Sequence, residues 1–199
     1  MSSPPALILA AICVTLTCNM PVPAQYEAIR LAADGEPVRF ARIADIPRPL
    51  RAAIDRAECP LLDSILAQTP TVIFQPSSSH RVMAIVPCDA LITYSLAFVF
   101  ERTTEDVPRL VMFPVVAPSG GFTAADSPGL ITWDAAAKTL TAIVENDYCG
   151  VRETRHTYQY GDGSLNGFTL VKVEHRKQMC ESEAPWEPVW EAQPWPRLQ

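Results

Sequence analysis

The sequence predicts a mainly β domain of antiparallel sheets and hairpins, sandwich- or barrel-like, with one short N-terminal helix and two disulfides. Three observations carry this expectation. From residue 71 onward, apolar residues repeatedly recur with a period of two, the spacing of half-buried strands. Nineteen prolines are spread along the 199 residues, which suits short strands and stiff loops better than long helices. Cys59, Cys88, Cys149 and Cys180 lie far apart behind an apolar leader, the usage expected of an exported, disulfide-bonded protein.

Leu7 to Cys18 form an uncharged, mostly apolar run, and Val22-Pro23-Ala24 follows with small residues suited to signal cleavage. The expected organisation is a signal peptide over 1–24. A single disulfide-stabilised β-rich domain follows over 25–199, with a Pro/Trp-rich C-terminal tail. An uncleaved anchor is the alternative, because Met1-Ser2-Ser3-Pro4-Pro5 contains no Lys or Arg. The apolar run is short of the roughly 20 residues a membrane span needs. The expected location is periplasmic or secreted.

The formal charge is −6 and charged residues make up 19% of the chain. That balance fits a folded protein. It argues against non-specific nucleic-acid binding, which needs a basic face.

Taken in order, Pro37 to Ile43 partly alternates and reads as a strand. Asp45, then Pro47 and Pro49, are helix-start signals. Leu50, Ala53, Ile54 and Ala57 follow at helical spacing, predicting a helix over 47–58 that ends before Pro60. Val72 to Phe74 and Arg81 to Val86 flank a Ser-rich loop, as a hairpin would. Ile92, Tyr94, Leu96, Phe98 and Phe100 alternate with smaller residues, so the large side chains of this strand point one way. Leu110 to Val116 reads as one strand, confined by Pro114 to an edge or bulge. The segment 118–129 reads as a loop. Leu130 to Trp133 and Thr139 to Val144 form the next hairpin candidate.

Strands at 151–160 and 168–176 form the last hairpin. With the turn centred on Ser164, Tyr160 faces Phe168, Tyr158 faces Leu170 and His156 faces Lys172. The same register sets residue 149 opposite 179, so a single bulge brings Cys149 and Cys180 together. By elimination, Cys59 pairs with Cys88 and ties the helix end to the first sheet strands.

Few residues point to chemistry. His80 lies in the turn with Ser77, Ser78 and Ser79, without the fixed geometry a Ser–His nucleophile needs. His156 and His175 fall on opposite faces of the uninterrupted hairpin, so no shared metal is expected. There is no Cys-x-x-Cys, His-Glu-x-x-His, phosphate loop or dinucleotide fingerprint, so no metal or cofactor is implied. The best binding candidates are Trp186 and Trp190 in the tail, with Ser119 and Phe122 in the glycine-containing 118–129 loop. Trp is enriched at interaction hot spots.

Several of these elements together resemble a bacterial exported family of unknown function, numbered 1176. Ile46-Pro47-Arg48-Pro49-Leu50-Arg51-Ala52-Ala53-Ile54 leads to Cys59, and a later apolar strand ends in Ile85-Val86-Pro87-Cys88. Trp133-Asp134, Leu140, Asp147-Tyr148-Cys149-Gly150 and Gly167-Phe168-Thr169-Leu170 follow. Cys180 and Trp186-Glu187-Pro188-Val189-Trp190 complete the pattern, which covers roughly 45–190. After Cys88 this chain has Asp89-Ala90-Leu91-Ile92-Thr93-Tyr94 where members carry a Gly-Ala-Tyr-Asn-like stretch. The resemblance implies an envelope or secreted location and supplies no activity. The resulting expectation is a non-catalytic envelope protein that binds a protein or glycan partner. The alternatives are a periplasmic hydrolase using His156 or His175 with nearby acids, and a purely structural envelope component.

Overall fold

A computed structural model describes residues 37–74, 81–88, 94–101, 107–117, 120–144, 152–161, 167–177 and 184–193. The segment expected to be a signal peptide, the His80 turn, Ser119, Cys149, Cys180 and Trp195 lie outside the described residues.

The strands are β1 (Val38–Phe40), β2 (Thr71–Phe74), β3 (Arg81–Pro87), β4 (Ser95–Glu101), β5 (Arg109–Leu110), β6 (Phe113–Val116) and β7 (Phe122–Ala125). They continue with β8 (Leu130–Asp134), β9 (Thr139–Val144), β10 (Arg152–Tyr160), β11 (Phe168–Lys177) and β12 (Glu187–Glu191). Two helices, α1 (Arg48–Arg56) and α2 (Asp63–Gln68), lie between β1 and β2. The strands form two five-stranded antiparallel sheets, ordered β1-β2-β3-β4-β5 and β12-β11-β10-β9-β8. A separate hairpin pairs β6 with β7.

The layers follow from where the apolar residues sit. On α1, Leu50, Ala53 and Ile54 are buried, as their helical spacing requires. They pack with Leu66 of α2 against Ile73, Val82, Ala84, Val86, Leu96, Phe98 and Phe100 on one face of the first sheet. The other face of that sheet, with Phe74, Met83, Ile85 and Ala97, packs on Leu140, Ala142, Tyr158, Phe168, Leu170 and Val173 of the second. The first sheet is therefore covered on both sides, and β3 is buried from Val82 to Pro87. In β4 the large residues Leu96, Phe98 and Phe100 face the helices and Ala97 faces the second sheet, as the alternation predicts.

The two sheets are tied at several points. Phe74 stacks on Trp133 with ring centroids 4.8 Å apart. The Ser95 N–H donates to the Gly129 carbonyl at 3.0 Å. Gly129 sits at φ +119°, and a Cβ there would lie 2.2 Å from the Ile143 carbonyl oxygen. Only glycine fits this corner. Cys59 and Cys88 form a disulfide, joining the end of α1 to the end of β3 as expected.

Four details differ from the sequence expectation. Asp45 does not cap α1; it lies in a 3-10 turn over Ile43–Asp45 and pairs with Arg42 at 2.9 Å. A second helix, α2, follows Pro60, with Ile65 and Leu66 buried. The single strand expected over 110–116 is two strands, because the chain leaves the first sheet at Val111 and starts the hairpin at Phe113. The loop expected over 118–129 contains β7.

Candidate functional site

The register of the β10–β11 pair decides where its two histidines stand. Tyr160 faces Phe168 and Tyr158 faces Leu170, as expected. The register then shifts between Thr157 and Tyr158, so His156 faces Val173, and Lys172 faces Thr157. This corrects the expected His156–Lys172 pair. The bulge also places His156 and His175 on one face, since Thr154 pairs with His175 and paired residues share a face. An uninterrupted register separates them.

Shared facing does not unite them. His156 is buried, and its Nε2 accepts a hydrogen bond from the Val116 N–H at 3.2 Å. Burial pushes the imidazole pKa down to about 4, so the ring is a neutral acceptor. Tyr158 donates its hydroxyl to the Pro114 carbonyl at 3.0 Å, and burial pushes its pKa up. His156 and Tyr158 thus bind the outer edge of β6, in place of a further strand. His175 points instead to Glu187, at 3.5 Å. It lines a pocket of about 450 Å³ with Arg152, Arg176, Lys177, Ala184, Pro185 and Glu187. Among the described residues no group of His, Cys, Asp and Glu is arranged to hold a metal ion.

The opposite face of β10–β11 carries charges. Arg176 donates to Glu153, and Arg155 and Lys172 both pair with Glu174, at 2.7 and 2.8 Å. Glu153 and Glu174 are 3% and 5% exposed. Burial alone would raise the Glu174 pKa, but hydrogen bonds from Lys172 and Arg155 outweigh it and hold the carboxylate below its usual range. Trp186 covers this ladder, with the Arg155 and Arg176 guanidiniums 4.4 and 4.6 Å from its ring centroid.

The remaining candidates converge elsewhere. β12 pairs with β11 so that Trp190 faces Val173, which puts Trp190 on the opposite side of the sheet from Trp186. There it meets Phe122 edge to face, with centroids 5.1 Å apart. Phe122 opens β7 directly after Gly120 and Gly121, whose φ angles of +88° and +80° turn the chain back. Phe122 is 54% exposed and Val189 49%. The sequence candidates Phe122 and Trp190 therefore form one apolar ridge from two distant segments, while Trp186 is separate.

The segments that supply the ridge carry acids and no bases. Segments 110–137 and 178–196 contain no Lys or Arg. Asp126 follows β7, and Glu187, paired with His175, lies on the same face of β12 as Trp190, whereas Glu191 faces the other way with Lys172. No family model, curated protein or solved structure matches the chain.

Proposed function

We propose that this chain is an exported, non-catalytic binding protein whose contact surface is the Phe122–Trp190 ridge. The carrying observation is the ring pair itself: two aromatics from segments about seventy residues apart in sequence meet at the surface, with Phe122 more than half exposed. Aromatic residues presented in this way are typical anchors of interfaces. One ring of the pair covers a face of the other, leaving less open ring for a stacked sugar. A protein partner is favoured over a glycan for that reason.

Export is supported by the apolar leader and by the Cys59–Cys88 disulfide, since disulfides persist in oxidising compartments. Among the described residues no helix is long and apolar enough to cross a membrane. Membership of the exported family numbered 1176 belongs to the same proposal. In this reading Trp186 clamps the tail to the ion-pair ladder and leaves recognition to Trp190.

The test is retention of a periplasmic protein on immobilised wild-type protein, repeated with Phe122→Ala plus Trp190→Ala and with Trp186→Ala. The expected result is loss of retention only in the double variant. Equal retention by all three would remove the ridge from the account, and retention of a soluble glycan alone would replace the protein partner.

A further inference from the structure

Hydrogen bonding within the β6–β7 hairpin leaves one strand edge open. The Ala117 N–H donates to the Gly121 carbonyl at 3.0 Å, which fixes the phase of the antiparallel ladder. Bonded and non-bonded pairs alternate from there. Val115↔Thr123 and Phe113↔Ala125 are the bonded pairs, and Val116↔Phe122 and Pro114↔Ala124 are the non-bonded ones. Main-chain groups of non-bonded residues point outward from the pair. On β6 the outward groups are occupied: the Val116 N–H by His156 and the Pro114 carbonyl by Tyr158. Both bonds independently confirm the phase. On β7 the matching groups belong to Phe122 and Ala124, and among the described residues nothing bonds them.

Other sheet edges carry protection of the usual kinds. β1 is three residues long with Arg39 at its centre, and β5 is two residues long. β12 contains Pro188, two glutamates and a register shift. β8 packs against β3 and β4. β7, Phe122-Thr123-Ala124-Ala125, has no charge, no proline and no break in register.

We propose that the outer edge of β7 takes an added strand, an extended and Lys- or Arg-bearing segment of a partner protein that bonds the main chain at Phe122 and Ala124. Strand addition is a recurrent mode of peptide recognition, in which main-chain bonds hold the segment and alternate side chains set specificity. The Phe122–Trp190 ridge lies beside this edge and receives the apolar side chains of the segment. Its cations are matched by Asp126 directly after β7, by Glu187 on the Trp190 face of β12, and by the absence of Lys or Arg from 110–137 and 178–196. The inference rests on the ridge being the contact surface and adds the class of partner and the geometry of its binding.

The experiment selects a phage-displayed random-decapeptide library on the intact oxidised protein. The best peptide is then measured against wild type, Phe122→Ala and Ala124→Pro. Ala124→Pro removes one outward donor and leaves both bonded pairs to β6 in place. Expected are peptides rich in alternating β-branched residues with Lys or Arg, weakened at least tenfold by either substitution. Hydrogen exchange on wild type is the second readout and does not depend on the variants folding. The Phe122 and Ala124 amides become protected when the peptide is bound. If Phe122→Ala weakens binding while those two amides stay unprotected and Ala124→Pro binds normally, strand addition is wrong and the ridge stands. If neither substitution matters, both readings fail.

Discussion

Burial holds the His156 imidazole neutral, with its pKa at about 4 against an unperturbed value of 6.5. Because the folded pKa is depressed, the unfolded chain binds the extra proton first. Stability is therefore full above pH 6.5 and falls as the pH drops from there towards 4. The loss attributable to this residue reaches about 3 kcal/mol. His156→Gln keeps an acceptor for the Val116 N–H and removes the titration. Urea unfolding from pH 7 to pH 4 should show a flatter decline for that variant, whereas an unchanged decline would mean other groups carry it. The buried place of His156 was half legible. Its spacing from Tyr158 and Tyr160 put it on one face of a strand, but a one-residue bulge leaves no compositional mark. An unbroken register therefore sets it opposite Lys172, where the bulge sets it opposite Val173. The convergence of Phe122 with Trp190 was not legible at all, since no local pattern encodes a contact between segments so far apart. Each was visible alone, Phe122 by its glycines and Trp190 by its tail of prolines.

At the scale of elements, the Cys59–Cys88 bridge closes a loop over a sequence separation of 29. On chain-entropy grounds such a loop contributes about 3–4 kcal/mol. Replacing both cysteines by Ala should lower the free energy of unfolding by that amount. A change under about 1 kcal/mol would mean α1 is held by packing alone. In the C-terminal hairpin, described pairing ends at Arg152↔Lys177, and the Cys149–Cys180 bridge expected from the sequence lies beyond it. Peptide mapping without reductant should return Cys149 linked to Cys180. Recovery of either as a free thiol contradicts it. Trp186 closes the ion-pair ladder over two nearly buried carboxylates. Trp186→Ala should cost about 1–2 kcal/mol in thermal or urea unfolding. Phe122→Ala, at an exposed ring, should cost no more than about 1 kcal/mol. The reverse order would exchange the roles of the two aromatics. Elements with strong periodicity, α1, β4, β10 and β11, were legible because each buries a face large enough to dictate its pattern. β7 was not, because Thr123, Ala124 and the glycines before it carry no alternation. α2 is too short, at six residues, to display a helical stripe.

Considered whole, the molecule is three layers, with helices on one sheet and that sheet on a second. The fold class was legible because both sheets write a two-residue period into the chain. The doubly covered first sheet explains why β3 reads as continuous apolar sequence and not as alternation. The layering separates the surfaces. α1 and α2 cover one side of the first sheet, and the Phe122–Trp190 ridge belongs to the hairpin and last strand that accompany the second. The central claim is that recognition happens at that ridge. It is tested most directly by photo-cross-linking in the living cell envelope, with benzoylphenylalanine placed at Phe122 in one strain and at exposed Ala52 of α1 in another. Recognition at the ridge gives a discrete protein adduct from position 122 and none from position 52. Adducts from both positions alike, or from position 52 alone, would contradict it.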